Sequence, residues 1–209
     1  MEIVRIKSVL NLGLSDKLKT AFPNFVPVSR PAFKLNGIPN PFWVAGFISG
    51  DGSFFFSIRT KTSPVSTNIW RIVSLILKVD LHIRDKEVVQ VLASYFSLLT
   101  LSSNQPKGRG WITDKCSDSL TLKPYPIFVK TQSVSFTIRN FTDIVNTVIP
   151  FFEKYPILGA KSLDFADFKK VAEIVKNKEH LTSSGFEQIQ RINSTMNLRR
   201  PWDSDTKKI

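Results

Sequence analysis

Cysteine and histidine are scarce in this chain, and each scarcity excludes a kind of site. Cys116 is the single cysteine, so an internal disulfide and a cysteine-based zinc site are excluded. His82 and His180 are the two histidines, which excludes a histidine-rich metal site; both are expected to be ordinary core or surface residues. No apolar run reaches the roughly 18 residues that a helix needs to span a bilayer.

Acidic residues are also few, with 17 Asp and Glu against 29 Lys and Arg, which gives a formal net charge of +12. An excess of this size favours a polyanionic partner. Nucleic acid is the first candidate and an anionic membrane surface the second, although a small protein can also simply be basic. No basic amphipathic helix of the one-sidedness that membrane surfaces require is evident. Hydrophobic residues make up 42% of the chain, enough for a real core.

Apolar spacing and turn residues predict the order of the elements. One or two short helices are expected within residues 1–22, with Ser15 as a candidate cap for the second, followed by a proline-rich connector. The rest is expected to follow an αββαββα order with further helices at its end, and it shows no internal repeat. The predicted helices cover residues 41–51, 84–98, 140–152, 162–177 and 182–197, and the predicted strand regions cover residues 53–59, 69–83 and 126–138.

The predicted helix at residues 41–51, with Asn40 as its cap and Pro41 in its first turn, carries small residues four positions apart. Ala45 and Ser49 form one such pair, and Gly46 and Gly50 form another. A glycine within a helix costs up to about 1 kcal/mol relative to alanine. Two glycines in one helix therefore indicate a flat face for close helix packing. The alternative is an ordinary buried helix packed against its own sheet.

Asp51 is predicted to end this helix, with Gly52 just beyond it. The last carbonyls of a helix already carry partial negative charge, so a carboxylate there is disfavoured unless a cation joins it. Carbonyl and carboxylate oxygens are hard ligands that suit Mg²⁺ or Ca²⁺. The alternative is a solvated turn aspartate, which is common before glycine.

Residues 44–52, Val-Ala-Gly-Phe-Ile-Ser-Gly-Asp-Gly, resemble the nine-residue motif of the LAGLIDADG homing endonuclease family. The resemblance covers about residues 3–200 and is greatest to double-motif enzymes encoded in organellar introns, chiefly fungal and algal. The other segments that carry it are residues 42–43, 53–54, 81–86, 149–156, 161–165, 180–182 and 196–197.

The resemblance also suggests how the chain is organised. Residues 4–7, 14–19 and 21–23 are similar to the segment that joins the two halves of such enzymes. The chain is therefore expected to be the C-terminal half of a double-motif enzyme, mitochondrial or from another organelle. Residues 1–37 would be a helical remnant and linker, residues 38–200 the endonuclease-like domain, and residues 201–209 a tail.

The resemblance implies an α+β fold, a single αββαββα unit with a four-stranded antiparallel saddle sheet and additional C-terminal helices. It implies a site-specific double-strand DNA endonuclease that needs a dimer or a partner half. Asp51 would be the catalytic acid, and Asp51 and Gly50 would bind Mg²⁺. Ala45, Gly46, Ser49 and Gly50 would form the helix-packing interface. Arg59, Lys61, Arg71 and Lys78 would lie on or near the face that binds nucleic acid.

Three departures from the family pattern support a second hypothesis. Ser74 and Leu81 stand where relatives often carry glutamine, and residues 95–105 contain no basic residue, the next one being Lys107. A missing half would also leave one motif acid of two. The alternative is a catalytically inactive RNA-binding protein, either an intron maturase or a component of an organellar ribosome. Mg²⁺ would then be dispensable, and Gly46 and Gly50 would be covered by a partner protein, by another copy of the chain or by residues 1–30 folding back.

Overall fold

The computed structural model describes residues 2–10, 13–28, 35, 37–62, 69–103 and 125–200. The chain divides into two compact units, residues 1–34 and 35–209. The smaller unit contains helices α1 (Glu2–Val9) and α2 (Asp16–Ala21), and Ser15 is the N-cap residue of α2 as predicted. The domain boundary predicted after residue 37 stays a prediction, and the predicted tail at 201–209 lies outside the described residues.

The larger unit is built on a four-stranded antiparallel sheet with the strand order β1-β2-β4-β3. Helices precede, separate and follow the two strand pairs, which confirms the predicted α+β class and αββαββα order. The strands are β1 (Gly52–Thr62), β2 (Ile69–His82), β3 (Ile127–Val129) and β4 (Ser133–Ile138). The helices are α3 (Pro41–Asp51), α4 (Lys86–Ser103), α5 (Phe141–Asp143), α6 (Ile149–Lys154), α7 (Lys161–Lys176) and α8 (Ser183–Thr195).

Side chains alternate between the two faces of this sheet. On one face Phe54 lies opposite Leu77 and Phe56 opposite Leu75, all of them buried. This apolar face joins residues of α3, α4, α6 and α7 in one core cluster. On the other face small polar and charged residues accompany Phe55 and Ile76. We call this second face the polar face and define it by Ser53, Ser57, Arg59, Ser74, Lys78 and Asp80.

Phe54 is the centre of the aromatic part of the core. Its ring centroid lies 5.5 Å from that of Phe152, 5.2 Å from that of Phe165 and 5.4 Å from that of Phe168. These spacings fall in the range that edge-to-face aromatic pairs prefer. Phe54 therefore fixes the start of β1 against both α6 and α7.

Helix α3 begins as predicted, because the Asn40 side chain accepts a hydrogen bond of 2.8 Å from the Phe42 backbone N–H. The helix ends one residue before Gly52, which is also the first residue of β1. Gly52 has φ −78°, so it is not needed for a left-handed turn. It is needed for close approach, since a Cβ there would lie 2.6 Å from Ile48 Cγ2 and 2.8 Å from the Ile48 carbonyl oxygen.

Two elements differ from the prediction. The strand region predicted at 126–138 is a hairpin, in which the Lys130 N–H donates to the Ser133 carbonyl between β3 and β4. Between α5 and α6 the chain forms a π-helical turn (Ile144–Val148), where the Ile149 N–H donates to the Ile144 carbonyl. Pro150 explains this turn, because proline has no N–H and its ring clashes with the carbonyl four residues earlier.

The residues after α8 attach to β1, an edge strand of the sheet. Asn197 donates its side-chain amide to the Phe54 carbonyl at 3.1 Å and its backbone N–H to Asp164 at 3.0 Å. Arg200 donates to Asp164 at 2.9 Å and to Asp167 at 2.8 Å. The C-terminal residues thus occupy part of an edge that would otherwise present unpaired backbone groups.

Gly46 and Gly52 provide a matched pair of substitutions for testing this packing. We expect Gly52→Ala to destabilise the chain by about 1–3 kcal/mol, because the added methyl overpacks against Ile48. We expect Gly46→Ala to stabilise the free chain by up to about 1 kcal/mol, because a Cβ there meets nothing within 4 Å and alanine favours the helix. Urea unfolding followed by circular dichroism measures both, and equal effects of the two substitutions would contradict the packing described.

Candidate active site at the end of helix α3

Helix α3 has two unlike sides. Val44, Ala45 and Ile48 are buried in the core. Phe42, Gly46 and Gly50 follow one another at four-residue intervals on the exposed side, and Phe42 is 60% exposed. A Cβ at Gly46 or Gly50 would meet nothing within 4 Å. We call this exposed row the glycine strip, defined by Phe42, Gly46 and Gly50.

The packing face predicted from the sequence divides between these two sides. Gly46 and Gly50 lie on the exposed strip, but Ala45 is only 3% exposed and belongs to the chain's own core. Ser49 is half-buried, donates to the Ala45 carbonyl at 2.7 Å and accepts from the Leu158 N–H at 3.2 Å. The reason is helical geometry, since Ala45 is turned 100° from Gly46, toward the side of Val44 and Ile48.

A lysine from another helix reaches the end of α3. The Lys161 ammonium donates to the Gly50 carbonyl at 2.9 Å and also to the Gly52 carbonyl. Lys161 is the first residue of α7 and follows Gly159, whose φ of +69° allows the sharp turn before this helix. Partial burial lowers the pKa of Lys161, while the nearby carboxylates of Asp51 and Asp164 act in the opposite direction.

The end of α3 offers oxygen atoms to a metal ion, but few of them. Asp51 is exposed, and the Gly50 carbonyl retains a second lone pair beside its bond to Lys161. Among the described residues, no group of three or more His, Cys, Asp or Glu side chains is placed to hold a metal. Two protein ligands can supply part of a Mg²⁺ site. Mg²⁺ prefers near-octahedral coordination, and substrate phosphates and water complete it.

A cavity of about 900 Å³ lies beside this helix end. It is bounded by the start of the polar face, by the loop before α7 and by the residues after α8. Lys78 and Asp80 form an ion pair within it. The lining residues that carry charge or hydrogen-bonding groups are Ser49, Ser53, Lys78, Asp80, Lys161, Asp164 and Asn197. This mixture of ammonium groups and carboxylates suits a phosphate-bearing ligand together with a cation.

The four basic residues predicted to contact nucleic acid do not all lie together. Arg59 is exposed on the polar face, Lys78 is half-buried on the same face, and Lys61 lies two residues beyond Arg59 on β1. Arg71 is on the opposite face, with its guanidinium 4.6 Å from the centre of the Phe186 ring and donating to the Leu181 carbonyl at 3.3 Å. Along β2, Arg71 alternates with Ile72 and therefore faces the same side as Leu75.

The residues that depart from the family pattern lie in different parts of the structure. Ser74 lies on the polar face opposite Ser57, whereas Leu81 lies opposite Val134 and packs against the core. Leu81 therefore packs against the core, and this packing does not need the glutamine that relatives often carry at this position. Helix α4 continues to Ser103, five residues beyond its predicted end, while Lys107 lies outside the described residues.

Each of the two histidines is associated with a short 3₁₀ turn. The exposed His82 accepts a hydrogen bond from the Arg84 N–H at 3.3 Å and caps a short 3₁₀ turn. His180 belongs to another 3₁₀ turn, Glu179–Leu181, just before α8. Neither residue lines the cavity beside α3.

Sequence reasoning missed Lys161 and Asp164 as members of this site. The signal available was Lys161 itself, because a lysine at the first position of a helix opposes the helix dipole and needs another reason to be there. Its partners are more than a hundred residues earlier in the chain, and spacing alone does not predict such a contact.

Within the described residues no helix is both long and apolar enough to cross a membrane.

Comparison with known proteins identifies the family. The profile described as LAGLIDADG endonuclease matches residues 44–130 and 127–172. A probable intron-encoded endonuclease 3 of Neurospora crassa is 34% identical over 91% of this chain. The solved LAGLIDADG meganuclease I-CpaMI bound to uncleaved DNA is 40% identical with a TM-score of 0.70, and I-SmaMI bound to DNA is 33% identical with a TM-score of 0.74.

The lengths of these proteins differ from that of this chain. The chain spans 31% of the Neurospora protein, and it covers 59% of the I-CpaMI chain and 58% of the I-SmaMI chain. The two structural matches cover 94% and 95% of this chain, so the likeness includes the sheet, α3 and the C-terminal helices. The match over the motif helix and the sheet shows that this chain belongs to the LAGLIDADG endonuclease family.

Proposed function

We propose that this chain acts as one half of a site-specific DNA endonuclease and cuts both strands when a second half covers its glycine strip. One observation carries the proposal. The helix that ends in the exposed Asp51 presents Gly46 and Gly50 with open space beside them, since a Cβ at either position would meet no described group within 4 Å. Solved relatives described as meganucleases bound to DNA support the reaction class.

Pairing through the glycine strip would bring two helix ends together. Glycine lets two helix backbones approach closely, and an isologous pair would place one copy's Asp51 near the other's. Each half would then contribute one carboxylate and one Gly50 carbonyl. The second half is either another copy of this chain or a separate chain that carries the same motif.

Asp51 and Gly50 are the residues that would hold Mg²⁺. The metal, when bound, would activate water and stabilise the oxygens of a phosphodiester displacement. Lys78 and Lys161 lie in the adjoining cavity, where their ammonium groups would bind phosphate oxygens and orient the strand. Asp51 would fix the position of the metal because it is the last residue of a helix packed against the core.

The polar face of the sheet is the surface that we assign to DNA. It combines serine hydroxyls with Arg59 and Lys78. Such side chains make hydrogen bonds to base edges and phosphates in the major groove. We leave Arg71 out of this surface because it is engaged with Phe186 and Leu181.

The proposed origin is mitochondrial or from another organelle, since the relatives are intron-encoded proteins of fungi. Binding of RNA without cleavage is kept as the competing outcome of the experiments below. Ser74 on the polar face, where relatives often carry glutamine, is the residue that favours it.

Arg59 and Arg71 should separate binding from stability. We expect Arg59→Ala to weaken binding to duplex DNA and to reduce the salt dependence, by about one unit of slope if Arg59 contacts a phosphate. Its effect on stability should stay within about 0.5 kcal/mol. Arg71→Ala should cost about 1–2 kcal/mol of stability, from the lost contacts to Phe186 and Leu181, and leave affinity nearly unchanged. Fluorescence anisotropy across a salt series and urea unfolding measure both, and the reverse pattern would place Arg71 on the binding surface.

Asp51→Asn should abolish Mg²⁺-dependent cleavage while leaving DNA binding intact. Losing one of two metal-binding acids removes ligand charge without changing side-chain size. A library of duplex sites, incubated with the chain alone and with a partner half, reports cleavage by sequencing of the cut ends. Asp85→Asn, an exposed residue of the 3₁₀ turn after β2, is the matched control. Cleavage that survives in Asp51→Asn would remove Asp51 from the reaction, and an uncut library with tight RNA binding would favour the alternative.

Gly46→Phe should block pairing without unfolding the chain. The side chain would begin in open space, because nothing described lies within 4 Å of the Cβ position, and an outward-pointing ring would hold a second helix away. Sedimentation velocity with and without DNA, together with the cleavage assay, measures the effect. Phe substitution at the exposed Lys170 of α7 is the control for added apolar surface. A variant that still pairs and cuts would show that the glycine strip is not the interface.

A further inference from the structure

Lys161 makes two contacts in the free chain that the proposed binding of phosphate does not explain. Its ammonium lies at the C-terminal end of α3 and donates to the carbonyls of Gly50 and Gly52. These contacts join the first residue of α7 to residues more than a hundred positions earlier. They therefore belong to the tertiary structure of the site and not to a local turn.

The charges around Lys161 explain why a cation is held there. The last carbonyls of α3 carry the negative end of the helix dipole, and Asp51 adds a full negative charge at the same place. Partial burial lowers the pKa of Lys161, and the carboxylates of Asp51 and Asp164 oppose this effect by favouring its charged form. Lys161 thus supplies the cation that a carboxylate at a helix C-terminus needs, and it does so without any metal.

Two cations would then compete for the Gly50 carbonyl oxygen. Lys161 already bonds to it at 2.9 Å, and it is also the oxygen that we assign to a divalent ion. An ammonium and a divalent ion that share one carbonyl oxygen would lie only a few ångströms apart and repel each other. The occupancy of this oxygen by Lys161 must therefore oppose metal binding in the unpaired chain.

We propose that Lys161 is a positioning residue that serves as the resident cation of the metal-free site. It holds the end of α3 in place for Asp51, and a divalent ion binds only as the ammonium gives up its bond to Gly50. The inference rests on the proposed metal-binding role of Gly50 and Asp51. It goes further by naming the group that competes for the site, and its test needs neither DNA nor cleavage.

The test titrates the folded free chain with Mn²⁺ and follows paramagnetic broadening of the amide signals of residues 50–53 by nuclear magnetic resonance. We expect Lys161→Met and Lys161→Gln to bind Mn²⁺ about three- to tenfold more tightly than the unsubstituted chain. Lys161→Met should also speed hydrogen exchange of the Gly52 amide, which donates to Ile48 at the end of α3. Lys161→Gln keeps an N–H donor without the charge and guards against loss of folding.

Lys169→Met is the matched control, because it removes the same charge from the same helix. Lys169 pairs with Glu153 at 2.9 Å and does not line the cavity. Its Mn²⁺ affinity should stay within about twofold of the unsubstituted chain. Equal or weaker Mn²⁺ binding in both Lys161 variants would overturn the inference and leave the proposed metal site standing. Absence of broadening at residues 50–53 in every variant would overturn both the inference and the metal role of Asp51.

Discussion

The contact between Gly52 and Ile48 is the constraint on which the rest of the site depends. No Cβ fits at Gly52, so the first residue of β1 passes directly against the last turn of α3. The chain changes from helix to strand between Asp51 and Gly52 with no residue between the two elements. Phe54, two residues later, is already fixed among the aromatic rings of α6 and α7. Asp51 is exposed, yet its backbone is held from both sides by the core.

The C-terminal helices take part in the same arrangement. Lys161 begins α7 at the end of α3, and Asp164, one turn later, accepts hydrogen bonds from Asn197 and Arg200. Asn197 in turn donates to the Phe54 carbonyl on β1. A closed series of polar contacts therefore links the motif helix, the edge strand and the chain after α8. The helices that follow the αββαββα unit are part of what positions its charged residues.

Local rules predicted most of the fold, and the site was predicted less well where long-range contacts decide. Asn40 caps α3 because an amide side chain before a proline is a strong helix start, and a single sequence contains that information. The face of Arg71 depends on which side of β2 packs into the core, and the buried Leu75, Leu77 and Val79 establish that side. Ala45 can be assigned to the core only when the orientation of the whole helix is known. Lys161 was missed because its partners are distant in the sequence.

The glycines of α3 differ in what the described part of the chain requires of them. Gly52 is required within the chain, since a side chain there would collide with Ile48. Gly46 and Gly50 are different, because alanine would fit at both and would favour the helix by up to about 1 kcal/mol each. No described group occupies the space beside either position. The proposed second half would fill that space, and it would do so along the helix whose end carries the exposed Asp51.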